Sequence, residues 1–181
     1  METGELVKWT SDNAHSEIEF SARHMMISTV KGNFGEFKIN ALGTHSDPEK
    51  AKVEVIINPS SVNTREKDRD NHLRSPDFFD VEKFGEIRFE STSIKKVDDE
   101  KHLIKGKLTI KGVTKDITLD GTLEGVIKDP YGNTRAGLTV TGEITREDFG
   151  LTWNMLIEAG KVMVGSKIKI TARAEMVMQK Q

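Results

Sequence analysis

The chain has 181 residues, 31% charged and 35% hydrophobic, with a net charge of −2 and no cysteine. A chain of this length is most simply one domain, residues 1–181, which can bury about 70% of its unfolded surface without a metal or a disulfide. The lack of cysteine excludes disulfides, thiolate catalysis and cysteine-ligated zinc, and the even spread of Lys and Arg leaves no basic stripe for nucleic acid.

The chain begins M-E-T-G-E-L-V-K-W, without the basic and apolar regions of a secretory signal. As written it is expected in the cytoplasm; a signal removed upstream would make it periplasmic or secreted. No run approaches the about 18 apolar residues of a membrane-spanning helix. From His15 to His24, Ile18, Phe20, Ala22 and His24 share one face and Glu17, Glu19, Ser21 and Arg23 the other, which predicts a strand with one wet face. His24 is the polar residue on the apolar side. It reads as a core histidine or as one facing a ligand.

Over Thr29–Ala41, Val30, Gly32 and Phe34 keep one parity and Phe37, Ile39 and Ala41 the other, so the parity slips around Gly35. A glycine at such a slip predicts a β-bulge, the kind of bend that closes a sheet into a barrel. His45-Ser46-Asp47-Pro48 is a turn by composition, and Val53, Val55 and Ile57 then share a face.

The one long connection follows, over about 64–84. Thr64 is expected to cap a helix over Arg65–Arg74, with Glu66 in its first turn and Arg74 in its last. Leu73 is its only strongly apolar residue, so the helix cannot be a core element. It is either a solvated cover over an opening or a surface crossover. Phe78, Phe79, Val81 and Phe84 are expected to anchor the connection to the barrel end.

The remainder reads as an antiparallel meander. Inner faces are expected at Ile87 and Phe89; at His102, Ile104, Gly106, Leu108 and Ile110; at Ile117, Leu119, Gly121 and Leu123; and at Ala136, Leu138, Val140, Gly142 and Ile144. Turns fall at Asp98–Lys101, Lys111-Gly112 and Asp129–Asn133. Arg146–Gly160 is irregular, with Phe149, Trp153 and Leu156 as plugs or packing residues, and the last strand carries Val162 to Met176. Roughly eight strands, apolar on one face only, must hide that face. A closed antiparallel barrel does so and removes its edges, and small inward residues leave room inside. A sandwich is the alternative.

The ordered set H-S-E-I-E-F (His15–Phe20), R-H (Arg23-His24), V-K-G-N-F (Val30–Phe34), S-S-V-N-T (Ser60–Thr64), R-D-N-H-L-R-S-P-D-F-F-D (Arg69–Asp80), I-R-F-E-S-T (Ile87–Thr92), K-G-V-T-K (Lys111–Lys115) and T-R-E-D-F-G-L (Thr145–Leu151) resembles the YceI-like family from Trp9 to about Glu175. The resemblance implies an all-β, lipocalin-like antiparallel barrel whose bore takes a long apolar ligand. The implied class is a polyisoprenoid, such as a polyprenyl quinone or polyprenyl phosphate, or a fatty-acid derivative. It also implies frequent homodimers and, for many members, a periplasmic location; this chain departs by starting almost at the barrel.

On this reading the protein is a non-catalytic lipid carrier or store with no cofactor and no bound metal. Phe20, Met26, Phe34, Val55 and Phe89 are expected to line the bore with Leu108, Val140, Val164 and Ile168. His24, His72 and Arg74 are expected at the ligand's polar end, with Arg69 and Asp70 as further candidates or as an internal ion pair. Two alternatives stand. One is a dimeric interaction module with a filled barrel, hinted at by outward Ile56 and Leu103; the other is a metal-dependent enzyme using His24, His72 and Asp70.

Overall fold

The computed structural model describes residues 4–44, 47–157 and 160–180. Their eleven strands form one antiparallel sheet that closes into an eight-strand barrel. The count of eight arises because three staves are each built from two strands. β1 (Leu6–Ser11) and β2 (Glu17–His24) lie end to end along β11 (Val164–Met178). β3 (Ser28–Phe34) and β4 (Phe37–Thr44) form the next stave, and β5 (Lys52–Ile57) and β6 (Val62–Asn63) the third. β7 (Ile87–Lys96), β8 (Lys101–Ile110), β9 (Val113–Lys128) and β10 (Thr134–Thr145) complete the ring as a meander back to β11. Closure through β1 and β11 excludes the sandwich.

The expected break at Gly35 is present between β3 and β4, and the inward set changes parity across it from Gly32 and Phe34 to Phe37 and Ile39. Further register shifts fall between Ser91 and Ser93, between Gly137 and Leu138, and between Val164 and Ile168. β1 was not foreseen. Its six residues alternate only weakly in burial, and it is held as a strand by β4 and β11 rather than by its own pattern. Of the expected turn at His45–Pro48, His45 and Ser46 lie outside the described residues; Asp47 caps a short 3₁₀ turn at Pro48–Lys50.

The helix α1 (Lys67–Arg74) starts later than Thr64 as cap would require. Thr64 is buried, and its N–H and hydroxyl both donate to Asp70 Oδ1, at 2.8 and 2.5 Å. The cap is Glu66, whose carboxylate accepts from the N–H groups of Asp68 and Arg69. No Arg69–Asp70 ion pair forms. Thr64 stands between them, accepting from Arg69 Nε at its hydroxyl and from Arg69 Nη2 at its carbonyl. Arg74 donates to the carbonyls of Ser60 and Val62, tying α1 to the end of the third stave. Phe78 is buried and Phe79 packs on the core, as expected of the anchor.

The inward glycines do not simply leave room. A Cβ on Gly106 would lie 2.5 Å from the Phe89 ring and 2.5 Å from the Glu90 carbonyl oxygen, so the ring occupies the space a side chain would need.

After β10, Arg146 sets the course of the chain. The residue is 2% exposed, and its guanidinium donates to the carbonyls of Leu151, Trp153, Val164 and Gly165, with Glu147 3.5 Å away. Burial lowers its pKa from the usual value and the Glu147 carboxylate opposes that shift. The described residues on either side, Leu151–Trp153 and Val164-Gly165, are thereby gathered around one buried cation. Phe149 is 1% exposed and packs as expected, whereas Leu156 is 76% exposed and plugs nothing.

Two predictions follow from this packing. Gly106→Ala should lower stability by about 1–3 kcal/mol in urea denaturation, while Gly85→Ala, which meets nothing within 4 Å, should stay within about 0.5 kcal/mol of the parent. Arg146→Met should cost about 3 kcal/mol, because buried carbonyls lose a charged donor. Hydrogen exchange should quicken first across residues 151–157 and 160–165; protection unchanged there would refute the anchoring role.

Candidate ligand-binding site

The barrel encloses a cavity of about 550 Å³. Its wall is built from the inward positions of the staves, where alternation places one apolar side chain every second residue. Phe20 and Phe34 meet at 5.4 Å between ring centroids, and Phe34 and Phe79 at 5.8 Å, forming an aromatic side beneath α1. Ile104, Leu119, Leu138, Ile170, Ala172 and Ala174 carry the lining toward the other end.

Polar lining residues gather in the half of the barrel where β2, β8 and β10 end and β3, β9 and β11 begin. They are Glu19, Arg23 and His24 from β2, Thr64, Asp68, Arg69 and His72 from the connection, and Arg146. Arg69 is held by its two bonds to Thr64. His72 Nε2 lies 2.9 Å from Asp77 Oδ2, and its ring meets Trp153 edge-on at 4.5 Å and Phe78 at 5.1 Å. Asp77 and the two aromatic rings thus fix the orientation of the imidazole and join α1 to the segment anchored by Arg146.

Of the residues expected to line the bore, Phe20, Phe34, Val55, Phe89, Leu108, Val140, Val164 and Ile168 all face the cavity, and so do His24 and His72 at its polar end. Met26 and Arg74 do not. Met26 follows the end of β2 in a turn and is 46% exposed. Arg74 is committed to the Ser60 and Val62 carbonyls and to Asn71 Oδ1. Asp70 is engaged by Thr64, so His24, His72 and Asp70 do not form a converging ligand set. Among the described residues, metal-like spacing occurs at Asp12, His15 and Glu175. There Arg135 Nη1 already bonds Asp12 and Glu175. Sequence reasoning assigned no site role to Arg23 or Arg146; their side chains alternate with, or follow, the apolar set and carry no periodic signal of their own.

A family model described as a YceI-like domain matches residues 9–176. A UPF0312 protein of Staphylococcus aureus is 41% identical over 171 residues, covering 94% of this chain and 97% of that protein. The crystal structure of the Campylobacter jejuni YceI protein superposes with a TM-score of 0.76 at 35% identity, covering 88% of this chain and 90% of that one. A polyisoprenoid-binding domain from Saccharophagus degradans shares the fold, with a TM-score of 0.70 at 14% identity over 94% of this chain and 98% of that one. With its barrel, its enclosed apolar cavity and a match over nearly its whole length, the chain belongs to the YceI-like family.

Proposed function

We propose that this protein binds and carries one long apolar lipid inside the barrel, as a binding protein rather than an enzyme. A polyisoprenoid or a long fatty-acyl derivative fits best. The observation that carries this reading is the cavity itself: about 550 Å³, apolar along its length and polar at one end only. A volume in this range is typical of ligand sites, and a filled core would not leave it. Burial contributes about 0.8 kcal/mol per CH₂. A ligand burying about 15 carbons gains roughly 12 kcal/mol before several kcal/mol of binding cost. Chain length rather than polar recognition then dominates affinity. Arg69 and the two histidines, which line the cavity at its polar end, favour an anionic or strongly polar head at the mouth. The similarity to a domain described as polyisoprenoid-binding supports the same class.

Native mass spectrometry of freshly purified protein tests this. A discrete extra mass, lost on denaturation and recovered in the solvent extract, is the expected result; a bare mass that persists after incubation with polyprenyl and fatty-acyl lipids would reject it. Leu108→Trp and Val140→Trp fill the cavity from different staves. Both should abolish uptake while circular dichroism and cooperative melting persist, and undiminished uptake by both would reject this lining.

A further inference from the structure

We propose that the cavity mouth docks directly on a lipid bilayer through two apolar tips, the turn at Met25–Ile27 and the segment around Met155 and Leu156. This inference rests on the carrier reading above.

The tips are joined. The Met25 N–H donates to the Met163 carbonyl at 2.7 Å, the Met163 N–H donates to the Met155 carbonyl at 2.9 Å, and Leu156 bridges to Val162. Their outer side chains are strongly exposed: Ile27 by 75%, Leu156 by 76%, Met155 by 51% and Met26 by 46%. Their inner neighbours His24, Met163, Val164 and Trp153 line the cavity. The exposed apolar surface is therefore continuous with the cavity wall. Val97, Val126, Ile127 and Tyr131, also exposed, sit at the opposite end, where β7 and β9 finish.

The backbone points the same way. Met25 and Met26 have φ of 52° and 61°, and the turn closes by the Ile27 N–H donating to the His24 carbonyl. Two consecutive positive φ values are the geometry of mirror-image hairpin turns, for which Asn-Gly is preferred. Here the strained positions carry methionines, and the exposed one, Met26, gains nothing from the fold by projecting into water but gains by entering hydrocarbon. Arg23 braces the turn, donating to the Met26 carbonyl and the Thr29 hydroxyl, and both Arg23 and the nearby Lys161 are exposed. Apolar tips flanked by cations suit the interface of a bilayer, where side chains enter the acyl region and basic groups meet phosphates.

The occupant follows from the cargo. A lipid whose affinity comes from buried CH₂ groups has almost no monomer concentration in water, so release into solvent is slow. A mouth pressed against a bilayer removes that step.

The test is flotation with phosphatidylcholine–phosphatidylglycerol vesicles, using the parent protein, Met25→Asn/Met26→Gly, Ile27→Asn and Leu156→Ser. The double variant installs the preferred turn residues and should melt no lower than the parent, so lost binding cannot be blamed on unfolding. Each variant should partition about tenfold less onto vesicles, while loading of a polyprenyl lipid from detergent micelles, read by native mass, stays unchanged. A parent protein that does not float, or variants that float equally well, would overturn docking. So would variants that change the oligomeric state without changing flotation, which would assign the tips to a second copy of the chain. A parent that floats but loads no lipid from micelles or vesicles would uphold the bilayer contact and sink the carrier reading instead.

Discussion

Everything in this barrel depends on one shared strand. β11 is long enough to pair with β2 along its first part and with β1 along its last, so two short strands become one stave and the sheet meets itself. A seam of this kind removes the exposed edges of an open sheet. It is reinforced at the end opposite the mouth by Arg135, which donates to Asp129 on the neighbouring turn, to Asp12 between β1 and β2, and to Glu175 on β11. Those bonds hold the Asp129 carboxyl well below the usual carboxylate range and raise the guanidinium, so the seam stays charged and paired across neutral pH.

The same splitting of staves produces an asymmetric vessel. On the third stave, β5 ends at Ile57 and β6 adds only two residues, so ladder pairing runs out before the mouth is reached. The chain fills the gap with α1 and the turns after it, held by Thr64, Arg74 and the phenylalanines. Across the mouth, Arg146 collects the carbonyls of Leu151, Trp153, Val164 and Gly165. Polar groups are thus concentrated where regular pairing stops, because that is where backbone and side-chain donors are needed. An apolar bore with a polar end follows from where the strands terminate.

How much of this was legible in the sequence depends on the kind of order involved. Period-two alternation located the inward faces of β2, β5, β8, β9 and β10 residue by residue, and the parity slip located the break at Gly35. The alternation says where a side chain points but not what meets it, so the inward glycines read as empty space although Phe89 covers Gly106. β1 was invisible because its strand character comes from its partners. Thr64 looked like a cap because its side chain is right for one; only the fold shows that Asp70 takes its hydroxyl and Glu66 does the capping. Arg74 was placed at the site by its neighbourhood in the motif and Met26 by its place just past the apolar face of β2, and neither signal can tell a side chain facing the bore from one facing the backbone or the solvent. Arg146 was missed because its partners are carbonyls, and carbonyls have no signature in a sequence.

The way α1 is attached has a thermodynamic corollary. Most of its contacts are polar, through Asp70, Arg69 and Arg74, and its apolar ones are few: Leu73 on the core and the His72 ring against Trp153 and Phe78. Melting the barrel wall exposes hydrocarbon and carries the large positive heat-capacity change of that exposure, whereas freeing α1 would exchange mainly polar contacts for water, expose far less hydrocarbon and carry a smaller change. The two processes therefore respond differently to temperature. The strength of the wall bends with heat and cold, while the hold on α1 varies more nearly linearly, so the balance between a firm vessel and a loose cover shifts as the protein is warmed or cooled.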